Sequence, residues 1–182
     1  MSAMQLINEK GYENVLVDEI TSSAGFAKGS FYNHFQSKEQ LLFYIHQLTD
    51  QLYADAYVKS QAEGDFYDRF YAFITLSYSE VEKLGKEVMR AICMYFSIEE
   101  SKEIYSNKER SLYTSLTGLV EYGKEVGVIR AEYETSSCVE KILITIIGID
   151  NYWSSIEESR GLAEMAKETL TILVRGFSAK TW

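Results

Sequence analysis

The chain has 182 residues, 46% of them hydrophobic, with no proline and only 11 glycines, which is material for one compact core or for a small head on a larger body. So little turn punctuation excludes a β-sandwich or barrel, and the absence of proline suits long uninterrupted helices. A net charge of −9 argues by itself against a nucleic-acid binder, because phosphate affinity needs a basic face.

In chain order, residues 2–10 read as a short helix with Met4, Leu6 and Ile7 apolar, ended by Gly11. Residues 17–24 place Val17, Ile20 and Ala24 at helical spacing and close on Gly25. Residues 28–34 form a very short helix. Lys38 then opens a long one, with Leu41, Leu42, Ile45, Leu48 and Leu52 on one side. Ser37 is its N-cap, and Gln40 at the third helical position completes a capping-box pattern. After the break Gln61–Asp65, Asp65 caps a helix carrying Phe66, Phe70, Phe73, Ile74 and Ser77. Leu84–Gly85 is a second break. Further helices fit 86–97, about 102–126, 136–156 and 162–177, with Gly127, a loop at 132–135 and Gly161 between them. The expectation is an all-α chain: a head over 1–47 and a helical body over 48–182, sharing the long helix.

Cys93 and Cys138 lie among apolar residues with no metal-ligand spacing, so both read as buried reduced thiols, suited to a cytoplasmic protein. The longest apolar stretch, Ile142–Ile149, is far shorter than the roughly 20 residues a bilayer requires. No membrane partner, metal or cofactor is expected.

The segment from Ala24 to Leu42 carries the most information. It reads as a tight turn, a stub of helix rich in polar side chains and the start of a long amphipathic helix. That is the layout of a helix-turn-helix whose second helix enters the DNA major groove. Phe31 and Phe35, four apart, face inward with Ile20 and Leu41. Lys28, Ser30, Tyr32, Asn33 and His34 are left to cover the other sides. Lys28 and the hydroxyls of Ser30 and Tyr32 suit phosphate oxygens or base edges, and Asn33 has the donor and acceptor that read adenine. His34 can donate to a phosphate. Lys38 sits in a first helical turn, where unpaired N–H groups favour an anion. Gly29 lets the backbone come close to a duplex.

Gly11-Tyr12, the Ile20–Gly25 core and Lys28-Gly-Ser-Phe-Tyr-Asn-His-Phe, followed by Ser37-Lys-Glu, resemble the DNA-binding head of the tetracycline-repressor (TetR) family. The resemblance covers about the first 50 residues. It implies that Tyr32, His34 and Lys38 grip phosphates while Lys28, Gly29, Ser30 and Asn33 lie nearest the bases. It also implies a homodimer through the helices 136–156 and 162–177, presenting two heads to a palindromic double-stranded operator. A small-molecule effector in the body would release the heads by changing their separation. Three departures stand out. Leu16 and Ala27 replace the usual Ser or Thr caps, a cap being worth about 1 kcal/mol. The family's first helix is longer and follows a basic arm. Residues 1–47 hold three lysines against five acidic residues, so general DNA affinity is expected to be weak and salt-sensitive.

Residues 136–156 form the most apolar helix, with Val139, Ile142, Leu143, Ile146, Ile147 and Ile149, and Gly148 permits close approach of a partner helix. The body is also rich in aromatics, among them Tyr95, Phe96, Tyr105, Tyr113, Tyr122, Tyr152 and Trp153. Tyr95, Tyr113, Trp153 and Asp150, the acid embedded in the apolar helix, are candidates for an effector pocket. A plain core contains the same aromatics, and Asp150 can equally pair across a dimer. No catalytic residues are expected. His34 and His46 begin no triad, and the pairs Glu99–Glu100 and Glu157–Glu158 suit solvated faces. The functional expectation is therefore a DNA-binding transcriptional repressor. The alternative is a helical protein-interaction module, which explains the acidity but not the motif.

Overall fold

The structure, a computed structural model, describes residues 3–95, 107–157 and 160–178. The helices among them are α1 (Ala3–Lys10), α2 (Val17–Ser23), α3 (Lys28–Tyr32), α4 (Lys38–Ser60), α5 (Phe66–Glu82), α6 (Lys86–Tyr95), α7 (Ser111–Glu125), α8 (Thr135–Ser155) and α9 (Leu162–Gly176), with a 3-10 turn at Tyr12–Asn14. No strand is present among the described residues, which hold a single antiparallel bridge, Ile129 with Ser178. The all-α expectation holds. Phe96, Tyr105, the Glu99–Glu100 pair, Glu158, and the helical expectations over 96–97 and 102–106 lie outside the described residues.

The helix ends follow from local chemistry. Asp65 accepts the Asp68 N–H at 3.0 Å and Asp68 accepts the Asp65 N–H at 3.2 Å, a reciprocal cap on α5. Ser37 accepts the Gln40 N–H at 3.4 Å, but the Gln40 side chain takes the N–H of Gln36, not that of Ser37. Leu16 has no side-chain acceptor to cap α2. Glu19 compensates in part by accepting the Leu16 N–H at 2.9 Å.

Two sequence expectations need correction. Leu48 is 46% exposed, and the buried line of α4 continues instead through Thr49, Tyr53 and Ala56. The hydroxyl of Thr49 donates to the His46 carbonyl at 2.6 Å, so it is buried without an unmet hydrogen bond. The helix expected from about 102 begins at Ser111, because Arg110 is extended (φ −62°, ψ 143°) and its guanidinium is held by Asp50 on α4.

The body packs around α5, whose Phe66, Phe70, Phe73, Ile74, Tyr78 and Val81 are buried against α4 and α9. Each of the buried Phe, Ile and Val side chains stabilises the fold by roughly 1.5–3 kcal/mol. α8 lies against α6, α7 and α9 and buries Cys138, Val139, Ile142, Ile146, Ile149 and Trp153. In the head, α2 packs on α3 and α1 packs on α6. The α1–α6 junction depends on Asn8. Its amide donates to the Leu84 carbonyl at 2.6 Å, and its oxygen accepts the N–H of Glu87 (3.2 Å) and of Val88 (3.4 Å). A side chain of the head thus caps a helix of the body.

Candidate functional site

Gly25, at φ +76°, makes the turn between α2 and α3. Phe26 N–H then returns to the Thr21 carbonyl at 2.8 Å and fixes the angle at which α3 leaves. Phe31 is buried and packs at 5.1 Å from Phe35, which in turn meets Tyr44 of α4 at 5.8 Å. These rings anchor α3 by one side. Lys28, Gly29, Tyr32, Asn33 and His34 are left exposed, and Ser30 is half-buried. Tyr32 sets its ring edge-on to Phe31 and remains 51% exposed. A Cβ added at Gly29 would meet nothing within 4 Å, so the fold has no need of a glycine there.

The three lysines of the head are all engaged within the chain. Lys10 pairs with Glu19 at 2.5 Å and Lys28 with Asp18 at 2.9 Å. The Asp18 carboxylate raises the pKa of the Lys28 ammonium. Lys38 donates to the carbonyls of Tyr12 (2.9 Å) and Val15 (3.1 Å) and lies 4.2 Å above the Tyr12 ring. The first two pairs are open to water and readily exchanged. Lys38 holds the chain entering α2 against α4, and with two of its three N–H donors used, one is left over for a phosphate.

In the body, a cavity of about 680 Å³ lies between α4, α5, α6, α7 and α8. Tyr113 and Asp150, both candidates from sequence, line it. Tyr95 and Trp153 do not. Trp153 is core: it is buried, and its indole N–H donates to the Arg160 carbonyl at 3.0 Å. Sequence reasoning missed His46, Tyr53, Cys93 and Arg110 in the lining. The spacing of His46, Thr49 and Tyr53 on one face of α4 carried the signal for the first two.

The charges in the cavity are unevenly matched. Arg110 makes two hydrogen bonds to Asp50, each 3.1 Å, and a guanidinium nitrogen lies 3.3 Å from His46 Nε2. Burial and the Arg110 charge push His46 down to about 3, so the neutral imidazole accepts from Arg110. Asp150 lacks any such counterpart. Its Oδ1 is buried with no hydrogen-bond partner among the described residues, and burial pushes the carboxyl up to about 8. Burial and the same carboxylate push the Cys93 thiol up to about 12, which makes it a poor nucleophile.

Residues 2–45 match the family model "Bacterial regulatory proteins, tetR family". Over 64 residues the chain is 44% identical to the transposon Tn10 TetC protein of Escherichia coli, covering 34% of this chain and 31% of that one. The chain spans less than a third of the length of the curated relatives it matches. Whole-chain similarity is seen in solved structures. The TetR family transcriptional regulator PfmR from Thermus thermophilus superposes with a TM-score of 0.70 at 21% identity, covering 99% of this chain and 97% of the other. The transcriptional regulator FadR from Bacillus subtilis, in complex with stearoyl-CoA, gives 0.76 at 19%, covering 96% and 95%. At these identities the likeness shows the fold.

Proposed function

We propose, from the match of residues 2–45 to the tetR family of bacterial regulatory proteins and from the shared fold, that the chain is a cytoplasmic, homodimeric transcriptional repressor of that family whose operator affinity falls when a small molecule fills the cavity. The carrying observation is the outward face of α3. Lys28, Tyr32, Asn33 and His34 are exposed around Gly29, a glycine that the fold itself does not require. Glycine within a helix costs up to about 1 kcal/mol relative to alanine, and close approach of a duplex backbone is a reason to keep it. We assign Lys28, Gly29, Ser30 and Asn33 to the base edges and Tyr32, His34 and Lys38 to the phosphates. The head is taken as 1–47 and the body as 48–182.

Two-fold symmetry would come from α8 and α9, whose outward faces leave Tyr152 and Ile172 exposed at 59% and 76%. A pair of heads would then meet a palindromic operator at fixed spacing. Coupling to the cavity has a physical route in both directions along the chain. α4 carries His46, Thr49 and Tyr53 at the cavity and begins with Lys38 in the head. α6 carries Met89, Ile92 and Cys93 at the cavity, and Asn8 of the head caps its first turn. A ligand that favours one position of these helices shifts the heads by its difference in affinity for the two states.

Footprinting on the DNA flanking the chain's own gene, at two salt concentrations, tests the reading. Tyr32→Ala and Lys38→Ala should weaken binding to all sequences, and Asn33→Ala should alter sequence preference. Unchanged footprints in all three variants would remove the site assignment. The acid excess and the engaged lysines favour a second reading, a helical interaction module, which requires that no duplex be bound even at low ionic strength.

A further inference from the structure

We propose that the cavity in the body takes a protonated amine on an apolar frame, its ammonium seated on the carboxylate of Asp150. The inference rests on the effector reading above and names the ligand class. Two independent features of the geometry carry it. Asp150 lines the cavity, and its Oδ1 is buried without a hydrogen-bond partner among the described residues. The one arginine of the lining, Arg110, is already matched by two hydrogen bonds to Asp50. Lys108, the other cation of the lining, is exposed and lies 6.0 Å from the Tyr113 ring centroid, so the interior holds an acid with no buried counter-charge, and a ligand that brings a cation completes it. An anionic ligand would find no unmatched buried cation there and would oppose ionisation of Asp150.

The surroundings suit the rest of such a ligand. Val81, Met89, Ile92, Leu143 and Ile146 supply apolar wall. Tyr53 and Tyr113 offer aromatic rings, which attract cations through their faces. The volume of about 680 Å³ lies within the range of ordinary small-molecule sites.

The titratable groups around Asp150 are Tyr53 on α4, Tyr78 on α5 and Cys93 on α6, with Asp50, His46 and Arg110 beyond Tyr53 and with Glu140 on its own helix. Burial and the Asp150 charge raise the pKa of the three nearest and keep them neutral. At pH 7 the unliganded site therefore holds Asp150 as a carboxylic acid. Seating an ammonium drives the proton from Asp150 Oδ to solvent, and the amine keeps its own. Binding thus releases about one proton per ligand at pH 7.

The test is calorimetric titration of the full chain with 4-phenylbutylamine, 4-phenylbutan-1-ol and 4-phenylbutyrate, in two buffers of different ionisation enthalpy. The amine should bind at least about tenfold tighter than the alcohol and release the proton. Its affinity should rise from pH 6 to pH 9, since removing the Asp150 proton no longer opposes binding. Asp150→Asn should lose about tenfold or more for the amine and abolish the proton release, with the alcohol little changed. Alcohol or carboxylate binding as tightly as the amine would overturn the proposal, as would amine affinity that falls with rising pH in the unsubstituted protein. The pH series needs no variant, so a misfolded Asp150→Asn would not leave the question open. Adding each compound to a protein–operator complex separates the two readings. Asp150-dependent amine binding with no operator release supports this inference and removes the effector role. Operator release by the alcohol or by stearoyl-CoA, with no amine binding, does the reverse.

Discussion

Asp18 is expected to restrain the head's affinity for DNA. Its ion pair with Lys28 joins two side chains that are each more than half exposed, so it adds little stability, yet it holds a cation on the face assigned to the duplex. Asp18→Asn should leave the melting temperature nearly unchanged, strengthen binding to random duplex and steepen the log–log salt dependence by up to about one unit; gel-shift titrations at several salt concentrations read this directly. Gly29→Ala should act in opposite senses on two measurements. With open space at the new Cβ, the head gains up to about 1 kcal/mol in thermal unfolding, while operator affinity drops if the duplex backbone passes there. Asp150 has a pH signature of its own. Its folded pKa, pushed up to about 8, exceeds the unfolded value of about 3.9. Between those values only the folded state retains the proton, so stability falls as pH rises through that window and levels off above it. Asp150→Asn removes the effect, and the stability advantage of the variant should grow from about pH 4 to pH 8, reaching on the order of a few kcal/mol.

At the scale of elements, the junction between α1 and α6 ties the first helix to the body. Asn8 bonds one carbonyl and two N–H groups across it. Gly85, at φ +90°, adopts a conformation that side chains avoid, and a Cβ there would run into the Asn8 carboxamide. Asn8→Ala should cost about 1 kcal/mol, the usual worth of a helix cap, and should reduce the effect of an effector on operator affinity more than the operator affinity itself. Measuring both affinities with and without ligand distinguishes a coupling loss from a binding loss. The same junction shows the limit of reading elements from sequence. Gly85 was legible as a break, but nothing in Lys86–Tyr95 announces that its cap comes from residue 8.

At the scale of the whole molecule, the apolar side chains left outside on α8 and α9 are the test of assembly. Ile172 is 76% exposed on α9 and Tyr152 is 59% exposed on α8. Replacing both by glutamate should leave the helical content intact and convert a dimer to monomer in sedimentation velocity, with operator affinity falling as half-site binding loses its second head. A chain that already sediments as a monomer would contradict the two-headed reading.

The sequence by itself determined the periodicity and the punctuation. Helical repeats of apolar residues, glycines at the chain reversals and the acid before α5 are local signals, acting within one or two turns, and they placed most element boundaries correctly. The string from Lys28 to Glu39 likewise revealed a helix-turn-helix head, since turn, stub helix and amphipathic helix are written consecutively. Only the tertiary structure decided what depends on residues far apart in the chain. It began α7 at Ser111, beside an Arg110 paired with Asp50, put Thr49 inside and Leu48 outside, and sent Trp153 into the core. It also brought Asp150 to face Tyr53, Tyr78 and Cys93 from three other helices. The physical reason is that burial and pairing are set by which helix faces meet. That choice is made by the packing of the whole bundle, and no single helix encodes it.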